Sequence, residues 1–355
     1  MRKIVWLIFV VALAFAGWLA WALLTPVEPA APTFVMLRPG YSTRRIASEL
    51  KSAGVIRSAE AFVLWHDLHP RRSLKAGEYL FDKPANMIEV QKRLRHGDVY
   101  FHTVVVPEGF TMFDIARAIE AAGLGPAANF LKVAQSDTTL IADLAPAARS
   151  LEGYLFPDTY QFSRMQTMHE MAAAMVRQFR QVAHQIGLAP VPNGATPESG
   201  SNAPSNSSQV AVEVAGVSTD IEHTVTMASI IEKETSVPEE RLLVASVYYN
   251  RLAKNIALDA DPSIIYAELL AGTYTGALHH DDMHFNSPYN TYTHPGLPPG
   301  PIGNPGKSSL DAAMHPAQSE YYYFVADAQG HHRFARTIEE HNDNVASYRR
   351  AMRGK

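Results

Sequence analysis

The sequence predicts an α+β protein carried on a single N-terminal transmembrane helix, with a small α+β region ahead of a larger mixed α+β domain. Three observations predict it. The N-terminus is an unbroken apolar run, a strand-and-helix pattern occurs twice at a constant offset, and the C-terminal third mixes helical stretches with a strand and a long loop. At 355 residues the chain has room for two or three domains. An apolar content of 47% and a charged content of 19% suit a sizeable core once the N-terminal run is set aside. A net charge of −4 gives no reason to expect a nucleic-acid partner. With no cysteine in the chain, disulfides, thiolate metal sites and cysteine nucleophiles are excluded together.

Residues 1–3 carry Arg2 and Lys3, and residues 4–24 then lack any polar side chain. As a helix this run is about 31 Å long, enough to cross a bilayer. A secretory signal has a shorter apolar core, so a retained anchor is the better reading, although "EPAAP" after it keeps cleavage open. Arg2 and Lys3 hold the N-terminus in the cytoplasm. Everything beyond about Thr25 is then extracytoplasmic, with Trp18 and Trp21 near the outer interface. Residues 25–33, "TPVEPAAPT", form a Pro-rich linker.

Residues 34–125 contain the repeat. "RPGYSTRRIASELKSAGVI" (38–56) matches "PEGFTMFDIARAIEAAGLG" (107–125), with Gly40 on Gly109, Ile46 on Ile115 and Gly54 on Gly123, each 69 positions apart. Each copy has a turn, a hydroxyl residue before a helix, an apolar stripe at helical spacing and a Gly stop. "KAGEYLF" and "FHTVVVPEG" supply strands between them. The pattern resembles LysM-type modules, which bind the sugar backbone of cell walls; a generic α+β unit used twice for packing is the plainer alternative.

Residues 126–355 form the candidate catalytic domain. Within it, 190–208 is rich in Ser, Asn, Pro and Gly and is expected to be a disordered insertion. "IEHTVTMASIIEKET" reads as a helix ending near Pro238, and "PEERLLVASVYYNRLAK" as a second. The Gly/Pro/Asn/Tyr loop at about 284–306 is too long for mere connection, and long ordered loops are usually functional.

Glu232 and Glu234 lie two positions apart at the end of the first of these helices. At 3.6 residues per turn, they point about 200° apart, so a regular helix cannot aim both into one cleft. A two-carboxylate glycosidase needs its pair facing one bond. One glutamate beside the apolar "TMASII" stripe is suited to an acid role, since burial raises a carboxyl pKa. Geometry alone does not say which. "HHDDMH" (279–284) lacks the spacing of a metal site, and no Gly-x-Ser-x-Gly motif or phosphate loop occurs, so neither metal nor cofactor is expected.

"LEGYLFPDTY", "MASIIEKET", "ASVYYNRL", "DPSIIYA", "YNTYTHPGLPPGPIGNPG", "SLDAAMHPA" and "YYYFVAD" follow in this order. Together they resemble the MltG/YceG-like endolytic murein transglycosylases over nearly the whole chain. The resemblance implies cleavage within peptidoglycan glycan strands at the MurNAc–GlcNAc bond, without water, leaving 1,6-anhydro-MurNAc ends. One carboxyl suffices: it protonates the leaving oxygen as an acid, then takes the C6 hydroxyl proton as a base. Lytic transglycosylases carry this glutamate before a small hydroxyl residue. "KET" resembles that, which favours Glu234 as catalytic and leaves Glu232 supporting or alternative. Asn250, Asp261, Tyr289, Asn290 and Tyr292 match family motifs and are the candidate substrate contacts, with Glu152 and Asp158 as braces. The resemblance also implies the bacterial inner membrane as location, and glycan strands and peptidoglycan synthases as partners.

Three other readings stay open on the sequence. One is a non-catalytic wall-binding protein that works through its LysM-like region. A second is a pyridoxal-phosphate lyase, for which no Schiff-base lysine or phosphate cup is evident. The third is a muramidase with Asp259 or Asp261 as second carboxylate.

Overall fold

The computed structural model describes residues 2–69, 73–188 and 220–353. The expected insertion at 190–208 lies outside the described residues. The chain is α+β and divides into two compact units: residues 1–103 with 161–167, and residues 104–160 with 168–355. This differs from the expected boundary at 125/126. Strand β3 (His102–Val105) pairs with the distant β4 (Thr159–Phe162), and the division falls within both strands. The second copy of the repeat therefore belongs largely to the second unit.

In the first unit, the apolar run forms α1 (Arg2–Leu24), long and apolar enough to cross a membrane. Its last turn buries Ala22 and Leu23 against α3 (Ala59–Leu68) and α4 (Met87–His96). The segment after it is pinned rather than free. Val27 and Ala85 exchange two backbone hydrogen bonds of 2.9 and 3.1 Å, and Arg57 donates to the Pro26 carbonyl at 3.0 Å. β1 (Thr33–Leu37) and β2 (Gly77–Phe81) pair antiparallel, with Val35 opposite Tyr79. Between them run α2 (Thr43–Ser52) and α3, giving the order strand, helix, helix, strand.

The same order recurs as β3, α5 (Met112–Ala121), α6 (Ala127–Ser136) and β4. The repeat is thus structural as well as sequential. Ser42 caps α2 by accepting from the Arg45 N–H, and Thr111 caps α5 from Asp114. Gly54 and Gly123 follow the two helices at φ 70° and 71°, a left-handed conformation that a Cβ disfavours.

The second unit continues with α7 (Met168–Gln185), α8 (Ile221–Glu234), α9 (Arg241–Ala253), α10 (Asp261–Ala271), α11 (Lys307–Met314), the β5–β6 hairpin (Tyr323–Ala326, His332–Ala335) and α12 (Ile338–Arg353). Its core gathers the buried stripe of α8 (Val225, Met227, Ala228, Ile230 and Ile231) against α9 and α11. A helical turn at Pro238–Glu240 precedes α9, and no helix or strand interrupts 285–306.

Candidate active site

Helix α8 starts at Asp220, whose carboxylate accepts the Glu222 N–H at 3.0 Å. It stops at Glu234, four residues short of Pro238, because Thr235 is extended at φ −136° and ψ 131°. The Thr235 hydroxyl accepts the Val237 N–H at 3.0 Å and fixes the exit of the chain. Glu234 thus closes the last turn of a buried helix.

The two glutamates diverge, as their spacing requires. Glu232 turns to Arg241 at 2.9 Å and accepts the Gly306 N–H at 2.9 Å. Arg241 also meets Glu108 at 3.5 Å and donates to the Ser308 hydroxyl, so Glu232 sits in a structural ion network. Glu234 opens instead into a cleft of about 460 Å³, within the range of small-ligand sites. Burial pushes its carboxyl up to about 7, and the nearby charge of Asp261 acts in the same direction. A hydrogen bond from Tyr248 and the charge of Arg251 oppose the rise without cancelling it.

Helix α9 builds the cleft floor. Tyr248 and Arg251 are three residues apart on one face, and both are buried. Arg251 donates to the carbonyls of Tyr322, Ala257 and Leu258 at 2.7, 2.8 and 2.9 Å, and to the Asp259 carboxylate at 3.0 Å. Its guanidinium stacks 5.2 Å from the Tyr323 ring centroid. One side chain therefore fixes the β5–β6 hairpin and the loop before α10. Tyr322, Tyr323, Phe324 and His332 form the aromatic wall, and Asp259, Asp261 and Tyr292 stand in the same cleft. Glu240 steadies His332 by contacts to its backbone N–H and to Nδ1, at 3.1 and 2.6 Å.

Of the five candidate substrate contacts, Asp261 and Tyr292 line the cleft, joined by a hydrogen bond of 2.5 Å from the tyrosine hydroxyl. The other three do not line this cleft. Asn250 donates to the Ser319 and Tyr321 carbonyls, both at 2.9 Å. Asn290 is fully buried, donates to the Met283 and Phe285 carbonyls and accepts the Tyr292 N–H. Tyr289 packs on Tyr266, their ring centroids 5.2 Å apart. The Nδ2 groups of both amides are committed to backbone carbonyls, which fixes the chain around them.

The family model for YceG-like proteins matches residues 35–347. The chain belongs to the YceG-like family. It is 31% identical over 345 residues to the endolytic murein transglycosylase of Bacillus subtilis, covering 92% of this chain and 88% of that protein. It is 27% identical over 381 residues to the endolytic murein transglycosylase of Streptococcus pneumoniae, covering 96% of this chain and 64% of that protein. The crystal structure of a YceG-like protein from Listeria monocytogenes has a TM-score of 0.53 and 30% identity over 88% of this chain and 98% of that one.

Sequence reasoning did not single out Tyr248, Arg251, His332 and His341 in this YceG-like cleft. The i, i+3 spacing of Tyr248 and Arg251 was a usable signal: once Glu234 is placed against α9, one face of that helix must meet it, and Asn250 lies off that face. Nothing local marks the two histidines.

Glu152 does not line the cleft and is buried in the second unit. It is 1% exposed and accepts the Met112 N–H with both oxygens at 3.0 Å, the Asn304 amide at 2.7 Å and the Tyr266 hydroxyl. Asp158 is at the surface, accepting from Gln178. Burial raises the Glu152 carboxyl from 4.5 to about 7. The protonated form is therefore favoured by folding. Stability is highest below the unfolded value, falls between pH 4.5 and 7, and is about 3 kcal/mol lower above that window. Glu152→Gln removes this titration. Urea unfolding from pH 4.5 to 8 should show the variant gaining about 3 kcal/mol on the wild type as pH rises; parallel curves would contradict it.

Proposed function

We propose that this chain is an endolytic peptidoglycan lytic transglycosylase that cuts the MurNAc–GlcNAc β-1,4 bond within glycan strands, with Glu234 as its proton carrier. The observation that carries the reading is a lone glutamate, held near neutrality, at the floor of a cleft that its neighbour Glu232 does not reach. Two of the relatives above bear the name endolytic murein transglycosylase, in agreement with it. A carboxyl with a pKa of about 7 is protonated often enough to act as an acid and is basic enough to take a proton back. Glu234 gives its proton to the glycosidic oxygen and then removes one from the C6 hydroxyl of the same MurNAc. The aromatic wall suits sugar rings, which stack on flat apolar faces, and Asp261 and Tyr292 offer polar contacts.

On this reading α1 anchors the enzyme in the inner membrane with its N-terminus in the cytoplasm, and the rest faces the wall among peptidoglycan synthases. The strand–helix–helix–strand order and paired strands of the first unit support a LysM-like glycan-holding role. The presence of Asp259 and Asp261 in the same cleft as Glu234 favours one second reading, a two-carboxylate muramidase. Digestion of isolated long glycan strands by the full chain in detergent tests the main proposal. Fragments of intermediate length should appear first, and their formation should cease in Glu234→Gln. Release of disaccharides from strand ends, or no cleavage, would contradict it.

A further inference from the structure

The two aspartates in the Glu234 cleft differ in what their charges meet. Asp259 is held in a left-handed conformation at φ 52° and pairs with Arg251 at 3.0 Å. Asp261 is the first residue of α10, where the positive end of the helix dipole favours an anion. It accepts the Tyr292 hydroxyl at 2.5 Å, and among the described residues no cation forms an ion pair with it. Arg251 is already committed to three carbonyls and Asp259. The Asp261 carboxylate therefore presents an unbalanced negative charge to the cleft.

The proposed reaction needs a charge of that sign. As the C1–O4 bond breaks, its electron pair leaves on O4, which takes the Glu234 proton. Positive charge then builds over C1 and the ring oxygen of MurNAc. The O6 hydroxyl of the same sugar supplies the pair that forms the new O6–C1 bond, and its proton returns to Glu234. Glu234 is occupied with protons at both ends of this sequence, so another group must face the cationic carbon.

We propose that Asp261 is that group: a carboxylate that stabilises the oxocarbenium-like centre without exchanging a proton or forming a bond, held in place by the Tyr292 hydroxyl. The inference rests on the transglycosylase reading above. A fixed charge aimed at a developing charge in a water-poor site is among the largest catalytic contributions. The same charge opposes ionisation of Glu234, so it also sets the pH at which the acid is lost. The other charged and titratable groups lining this cleft are Tyr248 and Arg251 from α9, Asp259 and Tyr292 from the loops, Tyr322 and Tyr323 at β5, and His332 and His341 from β6 and α12.

The test compares the full-length wild type with Asp261→Asn and Tyr292→Phe, in detergent, by steady-state kinetics across pH and by product mass. Asp261→Asn should lower kcat about 10²-fold and leave KM within about twofold. Its alkaline limb should move to lower pH, because Glu234 ionises more readily once the neighbouring charge is gone. Tyr292→Phe keeps the carboxylate and the backbone, and should lower kcat about tenfold through lost positioning. A full kcat in either variant, or an alkaline limb in Asp261→Asn that stays in place, overturns the inference. Anhydro ends from the wild type beside an unaffected Asp261→Asn would defeat this inference alone. Water-added ends from the wild type would defeat the reading beneath it.

Discussion

Glu234→Gln is expected to lower kcat for glycan cleavage by about 10³-fold or more, the scale of losing an acid and a base in one residue. Glutamine keeps the size and a hydrogen-bond acceptor for Tyr248, so thermal unfolding should give a folded protein. The wild-type activity should fall with an alkaline limb near pH 7, because the free enzyme must carry the Glu234 proton and burial holds that carboxyl at about 7. A variant with near-normal kcat would remove Glu234 from the mechanism. A wild-type limb near the ordinary glutamate value of 4.5 would mean that the buried geometry is not that of the working enzyme.

Glu232→Ala should behave in the opposite way, losing stability rather than chemistry. Arg241 is 6% exposed and has Glu232 as its close buried partner, with Glu108 farther off at 3.5 Å. Removing one half of a buried pair leaves a charge without compensation and costs about 3–5 kcal/mol. The Gly306 N–H loses its acceptor as well. Urea denaturation should show that loss, while the folded fraction keeps kcat within about threefold of wild type. If Glu232→Ala instead abolished kcat at unchanged stability, the roles of the two glutamates would be exchanged.

Much of this separation was legible in the sequence because it depends on local geometry. Helical spacing alone sends Glu232 and Glu234 to different sides, and the structure has them on Arg241 and in the cleft. The caps Ser42 and Thr111 and the left-handed Gly54 and Gly123 also follow from short-range rules. What escaped depends on partners far along the chain. Asn250 donates to the carbonyls of Ser319 and Tyr321, partners that the sequence around it does not announce. The division between units falls within β3 and β4, strands some fifty residues apart, and that separation leaves no local signature. Arg251 was missed for a similar reason: the carbonyl of Tyr322 and the ring of Tyr323 arrive from the far end of the domain.

The central claim is that one carboxyl serves as acid and then base while no water enters the bond. Glycan strands digested by the full-length protein in water enriched in heavy oxygen, and read by mass spectrometry, test this most directly. The account predicts new ends one water lighter than hydrolysed ends, closed as 1,6-anhydro-MurNAc and free of the label. Reducing ends that carry the heavy oxygen would contradict it and make this enzyme a hydrolase.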